Sequence, residues 1–228
     1  MKFSPKLVIF DVDGVLVDVH GSFHKTIVDT VRFFTGRRVT YAQIHEWKNR
    51  SGYNDDWRLT TDWVASLGPP VPYENVKKQF MKFYWGTKFS HGNVAREKWL
   101  VTERRLEKWS CRAELALFTG RTRRELNHTL NGTGAKRIFR RAVTMDDVKK
   151  GKPDPEGLRL LLNGAPPREA LYLGDNIDDA LSAKRARVPF LGVLPHGTDA
   201  HRFREKNLRE LGAVAILHSV RDLEKFWA

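Results

Sequence analysis

Six short apolar runs, "LVIFDV", "AELALFTG", "RAVTMDD", "ALYLGD", "VPFLGVL" and "AVAILHS", recur along the chain, each ending near a turn signal. The second to fifth are followed by "TRRELNHTL", "EGLRLLLNG", "IDDALSAKRAR" and "HRFREKNLREL", which carry a helical pattern. A strand that is apolar on both faces has to be covered on both faces. Strands of this kind alternating with helices predict a parallel sheet between two helical layers, a doubly wound α/β fold.

One connection breaks the alternation. About a hundred residues separate the first run from the second, far more than a crossover needs, so the segment must carry structure of its own. Within it "HGSFHKTIVDTVRFFTG" places Phe23, Ile27, Val31 and Phe34 on one helical face. "TYAQIHEWKNRSG" starts at a capping Thr40 and stops at Gly52; "DDWRLTTDWVASLG" is closed by Gly68 and a Pro-Pro pair; "YENVKKQFMKFYWG" follows. The expected division is a core of residues 1–16 and 94–228 and an inserted helical unit of residues 17–93. Trp47, Trp57, Trp63 and Trp85 fall in the insertion and are expected to pack its interior.

The 228 residues carry a net charge of +13, which raises the possibility of a polyanionic partner. Between Arg96 and Arg141 there are 13 Lys and Arg against 5 Glu, so the excess is local. Much of it lies in "REKWLVTERRLEKW", where Glu and Arg alternate as on a solvated helix face. No aromatic and basic interleaving matches a nucleic-acid module, and such a partner is not expected. No window is long and apolar enough to span a membrane, and Leu7–Phe10 is too short for a signal-peptide core. Cys111 stands alone, which excludes an internal disulfide, fits a reducing compartment, and reads as a small buried apolar residue. The expected location is cytoplasmic; the sequence gives no oligomeric state.

Ligands of open parallel sheets bind beyond the carboxyl ends of the strands. Asp11 and Asp13 follow the first run, Thr119 and Gly120 the second, and Asp175, Asp178 and Asp179 the fourth. Carboxylates gathered this way repel one another, so a hard divalent cation such as Mg²⁺ is the natural neutraliser, and Mg²⁺ usually holds a phosphate as well.

"DVDGVLVD", "LFTGR", "KKGKPDP" and "YLGDNIDDA", in this order and at these strand ends, resemble the four motifs of the haloacid dehalogenase superfamily. The insertion resembles the helical C1 cap of its phosphoglycolate phosphatase-like subfamily. The resemblance covers the whole chain and implies a Rossmann-like core. It further implies that Asp11 is a nucleophile forming an aspartyl-phosphate and also a metal ligand. Asp13 would be the general acid and base, with its backbone carbonyl on the metal, and Gly14 would let the chain turn away. Thr119 and the Gly120 amide would bind the phosphoryl group, and Lys152 would pair with it and with Asp11. Lys149 and Lys150 are neighbouring rivals, and the choice of Lys152 rests on the match at Pro153. Asp175 would be a direct Mg²⁺ ligand, and Asp179, or Asp178 beside it, would hold the metal's waters.

Within that superfamily an acid at position 13 favours phosphate-ester hydrolysis or a phosphomutase, and the resemblance implies, as the default, a Mg²⁺-dependent phosphatase acting on a small phosphorylated metabolite. A sugar phosphomutase of the same fold is the alternative, followed by an inactive nucleic-acid-binding or scaffolding relative. Thr119 could instead cap the next helix, and Arg121, Arg123 and Arg124, at a helix start that disfavours cations, are expected in solvent. In "EWKNRSGYNDDWRLT" the polar groups crowd a turn around Gly52 between two helices, and Lys48 and Asn54 are its tentative substrate contacts.

Overall fold

The computed structural model describes residues 2, 4–195 and 199–227. All six apolar runs become strands of one parallel sheet, in the order Ala215–Leu217, Phe190–Val193, Ala170–Gly174, Leu7–Phe10, Glu114–Phe118, Arg141–Val143. The first strand in the chain is therefore central, with Leu7 facing Glu114 on one side and Ala170 on the other. Every residue of Leu7–Phe10 is buried. The period-two alternation sends Leu7 and Ile9 into a cluster with Leu158 and Leu161 of the helix Glu156–Leu162 and with Ala180 and Ala183 of the helix Ile177–Ala186. Phe10 points the other way and stacks on Trp109 of the helix Glu103–Ser110, ring centroids 5.9 Å apart. Both faces are covered, as an all-parallel sheet requires.

Two sequence expectations fail in this part. The helical pattern expected from Arg96 onward is helix only from Glu103: Lys98–Trp99 is a short strand, and Thr102 is extended at the N-cap position. The Leu100 amide instead donates to Leu16 O at 2.8 Å, which holds this stretch extended. Cys111 is exposed, not buried; it follows the last turn of that helix, on the side away from Leu106 and Trp109.

The chain divides into Met1–Val17 with Trp99–Ala228, and Asp18–Lys98. Residues 94–98 thus group with the inserted unit and not with the core. Just before them Asn93 donates to Thr26 Oγ1 and Asp29 Oδ2, both at 3.1 Å, tying this segment to the unit's first helix. The inserted unit holds the helices Lys25–Thr35, Tyr41–Lys48, Asp56–Leu67 and Tyr73–Trp85. Thr40 and Gln43 form a reciprocal capping box, and Asp55 accepts from the Trp57 and Arg58 amides. Gly36, at φ 69°, ends the first helix in the left-handed region. Ile27, Val31, Leu59, Val76 and Phe80 are fully or almost fully buried between the helices, and Phe23 stacks on Tyr84 at 4.5 Å. Each such side chain contributes about 1.5–3 kcal/mol by leaving water. Of the four tryptophans, Trp57 and Trp63 are buried, whereas Trp47 and Trp85 are half-buried at the margin. Among the described residues no helix is long and apolar enough to cross a membrane.

Candidate active site

The site is built on three neighbouring strands. Asp11 follows Leu7–Phe10, Thr119 follows Glu114–Phe118, and Asp175 follows Ala170–Gly174. The sheet ladder continues one residue beyond two of these strands: the Asp11 amide donates to Leu173 O at 2.8 Å and the Thr119 amide to Val143 O at 3.0 Å. Backbone hydrogen bonding therefore fixes where both side chains leave the sheet.

Lys152 comes from the loop after Arg141–Val143. Its ammonium lies 2.9 Å from Asp11 Oδ1 and 2.7 Å from Asp179 Oδ1, with all three side chains almost wholly buried. The rings of Phe118 and Tyr172 lie 4.8 and 5.6 Å from it. Its rivals Lys149 and Lys150 are exposed, their amides both donating to Glu156 Oε2 at 3.0 Å. Burial opposes the charge on Lys152, but Asp11 and Asp179 outweigh it and hold the ammonium above its usual pKa. Burial pushes Asp11 well up, against the pull of Lys152 and with the help of Asp179, Asp13 and Asp175.

Of the doubled acid, Asp179 is the one that meets the lysine. Tyr172 OH donates to its Oδ1 at 2.6 Å, and the amides of Asp175 and Asn176 donate to Oδ2 at 3.1 and 3.2 Å. It is thus surrounded by donors that shape the loop and fix Lys152. Asp178 is buried next to it in the first turn of its helix.

The two acidic loops touch. Gly14 sits at φ 74°, and a Cβ there would fall 2.4 Å from Asp175 Oδ2, so only glycine allows this approach. Carboxylate oxygens of Asp11, Asp175 and Asp179 lie within 4.8 Å of one another. This all-oxygen donor set fits a hard divalent cation.

Two arginines that the sequence reading did not place are part of this region. Arg121 is buried, not in solvent: its Nε and Nη2 lie 2.8 and 2.6 Å from Asp13 Oδ1, and Nη1 bonds Thr129 Oγ1. The expected clash with the helix start does not arise, because the carboxylate of Asp13 offsets the cation. A basic residue where the helix dipole disfavours it, two positions beyond a motif threonine, was the signal. Arg204, from the helix Asp199–Glu210, reaches Asp175 O at 2.7 Å and Oδ2 at 3.0 Å; nothing in its local sequence announces it. Arg123 pairs with Asp147 and Arg124 is exposed.

Thr119 is buried, and its Oγ1 accepts from the Arg121 amide at 3.1 Å. It does not cap the helix Arg123–Leu130; Thr122 does, in a capping box with Glu125. Gly120 is half-buried beside it. In the inserted unit, Lys48 pairs with Asp56 at 2.8 Å, Arg50 lies over Trp47, and Arg58 pairs with Asp62. Most of the polar groups around that turn are thus engaged within their own unit; Asn54 is half-buried among them.

A doubly wound parallel sheet with a lysine-bridged group of carboxylates at the ends of its central strands defines a Rossmann-like α/β protein with a ligand site of switch-point type. The chain belongs to the haloacid dehalogenase-like hydrolase family, whose sequence pattern matches residues 8–193. It is 29% identical over 196 residues to pyrophosphatase PpaX of Bacillus velezensis, covering 82% of each chain. It is 25% identical over 228 residues to phosphoglycolate phosphatase 1 of Pseudomonas aeruginosa, covering 96% of this chain and 78% of that one. It is also 30% identical over 224 residues to an imidazoleglycerol-phosphate dehydratase of Phytophthora nicotianae, covering 94% of this chain but only 49% of the length of that protein. Among solved structures, a candidate beta-phosphoglucomutase from Thermotoga maritima matches with a TM-score of 0.67 and 26% identity, over 96% of this chain and 97% of that one. CbbY from Rhodobacter sphaeroides, solved in complex with phosphate, matches in fold with a TM-score of 0.72 at 20% identity, over 96% of each chain.

Proposed function

We propose that this protein is a Mg²⁺-dependent phosphatase that hydrolyses a small phosphorylated metabolite through a phosphorylated Asp11. The observation that carries the reading is the buried Asp11–Lys152–Asp179 network at the carboxyl ends of the central strands. An isolated buried carboxylate would take up a proton; the Lys152 ammonium, 2.9 Å away, opposes that and holds Asp11 in place.

Asp11, the backbone carbonyl of Asp13, and Asp175 would hold the cation, with Asp179 acting through its waters; when bound, Mg²⁺ neutralises phosphoryl oxygens and lowers the charge repulsion against an incoming carboxylate. In the first step an oxygen of Asp11 forms a bond to phosphorus as the bond from phosphorus to the leaving oxygen breaks, and Asp13 gives that oxygen its proton. In the second, Asp13 takes a proton from water as the water oxygen bonds to phosphorus, the Asp11 acyl phosphate breaks, and inorganic phosphate leaves. Lys152, the Thr119 hydroxyl and the Gly120 amide stabilise the negative charge on the transferring group. Arg121 orients Asp13 and sets which oxygen faces the reaction.

The likeness to the Thermotoga candidate at 26% identity favours a phosphomutase as the second reading, in which the Asp11 phosphoryl group passes to a sugar hydroxyl instead of water. Release of inorganic phosphate from an aryl phosphate, dependent on Mg²⁺ and stopped by a chelator, followed by a panel of phosphorylated metabolites ranked by kcat/KM, tests both. Isomerisation of a sugar phosphate without net phosphate release would select the mutase. Binding without turnover of either kind would leave an inactive relative.

A further inference from the structure

The inserted unit brings three histidines together. His20 and His24 are separated by one turn of a π-type helical segment, His20–His24, a geometry often found at functional sites. His45 projects from the next helix, Tyr41–Lys48. The ring centroids of His24 lie 5.0 Å from His20 and 5.3 Å from His45, with each pair of rings nearly perpendicular, and His20 and His45 are 6.2 Å apart. One ring nitrogen from each can be chosen so that all three lie within 4.8 Å of one another. The Tyr41 ring stands 6.0 Å from His20 and 6.1 Å from His24, forming a wall beside the group.

A second observation gives this cluster a direction. Asp18 Oδ1 lies 2.7 Å from His20 Nδ1 and also accepts the His20 amide at 3.0 Å. A carboxylate accepts, so Nδ1 donates, and Nε2 is the nitrogen that the neutral ring offers a ligand. A carboxylate behind an imidazole, fixing its tautomer and raising its basicity, is the usual outer support of a metal-bound histidine. Three imidazoles this close together offer one cation a shared set of nitrogen donors. Tetrahedral Zn²⁺ with bonds of about 2.0–2.1 Å places its ligand nitrogens roughly 3.4 Å apart, so closure needs a movement of about 1 Å.

We propose that His20, His24 and His45 bind one Zn²⁺, with Asp18 positioning His20 and a fourth coordination place left for water or an anion. Imidazole donors suit Zn²⁺ and its borderline neighbours, while the all-oxygen carboxylate set suits Mg²⁺. The two sites are therefore told apart by chemistry. Bound metal would clip the segment 18–24 to the helix Tyr41–Lys48 and stabilise the inserted unit by binding only its folded form.

The test is a titration of the full chain with Zn²⁺, and with Co²⁺ for its visible spectrum, in excess Mg²⁺ that keeps the carboxylate site filled. One equivalent is expected to bind with a four-coordinate Co²⁺ spectrum and to raise the unfolding temperature. His20 is exposed, so His20→Ala keeps the fold; it should weaken binding at least tenfold and remove the thermal shift, as should His45→Gln. Asp18→Asn should weaken binding by about ten- to a hundredfold, and Asp175→Asn should leave it unchanged. Absence of a bound equivalent in excess Mg²⁺, binding that His20→Ala does not alter, or binding lost with Asp175→Asn would each overturn the proposal.

Discussion

The two units of this protein are stabilised by different physics. In the core unit the sheet is apolar, but the groups that define its upper edge are charges removed from water: Lys152 between Asp11 and Asp179, and Arg121 on Asp13. In the inserted unit the interior is aliphatic and aromatic, and its ion pairs, from Lys48 with Asp56 to the more exposed Arg58 with Asp62, retain contact with solvent. A buried ion pair contributes little net stability, because desolvation cancels most of its attraction, yet removal of one partner is strongly destabilising. A hydrophobic core loses stability in proportion to what is removed. In the core unit the surrounding pairs, not the apolar core, make the buried charges tolerable.

Five substitutions probe the contrast. Asp11→Asn should lower kcat by at least a thousandfold, ~4 kcal/mol in the barrier, while circular dichroism keeps the native signature; a smaller loss would remove Asp11 as nucleophile. Lys152→Met leaves two carboxylates buried without their cation and should destabilise the core unit by about 3–5 kcal/mol in urea unfolding. A change under about 1 kcal/mol there would mean that the charges are far better hydrated than their burial implies. Phe80→Ala opens a cavity in the inserted unit, with an expected loss of about 3 kcal/mol seen as faster amide exchange in that unit. Equal exchange increases in the core strands would break the separation drawn above. The smallest effects concern Lys48→Ala and Asn54→Ala. If both serve the substrate, kcat/KM for the true metabolite drops about ten- to a hundredfold, roughly 1.4–2.7 kcal/mol, with aryl-phosphate hydrolysis nearly unchanged. Equal losses on both substrates would assign this turn to the fold, in line with the Lys48 pairing to Asp56.

The sheet was legible because its strands are short, continuous and apolar, and because each is followed by polar residues at the end where ligands bind. The helices of the insertion were legible for a similar reason: Ile27 and Val31 repeat at the helical period, and Thr40 and Asp55 are capping residues that do cap. Side chains that reach across the sequence were not. Arg121 meets Asp13 across 108 positions and Arg204 meets Asp175 across 29; no local pattern encodes such partners, and a basic residue in isolation reads as solvated. The pattern before Glu103 misled for the opposite reason. Alternating Glu and Arg looks helical whether or not the backbone is bonded elsewhere, and just past Trp99 the Leu100 amide is bonded to Leu16 O.

The central position of Leu7–Phe10 has a consequence for the order in which the protein can be made. Its neighbours in the sheet begin at Glu114 and Ala170, so of the six strands this one waits longest for a partner. At about 5–20 residues per second on the ribosome, the first of those partners follows after roughly 5–20 s. The intervening helices pair mostly with near neighbours in sequence and can form during that interval, since local contacts close quickly. The exposed strand meanwhile presents four consecutive apolar residues and two unpaired edges. A nascent chain stalled before Glu114 should therefore bind a chaperone through Leu7–Phe10 and release it once the strands on either side have emerged, and Ile9→Asp should abolish that capture.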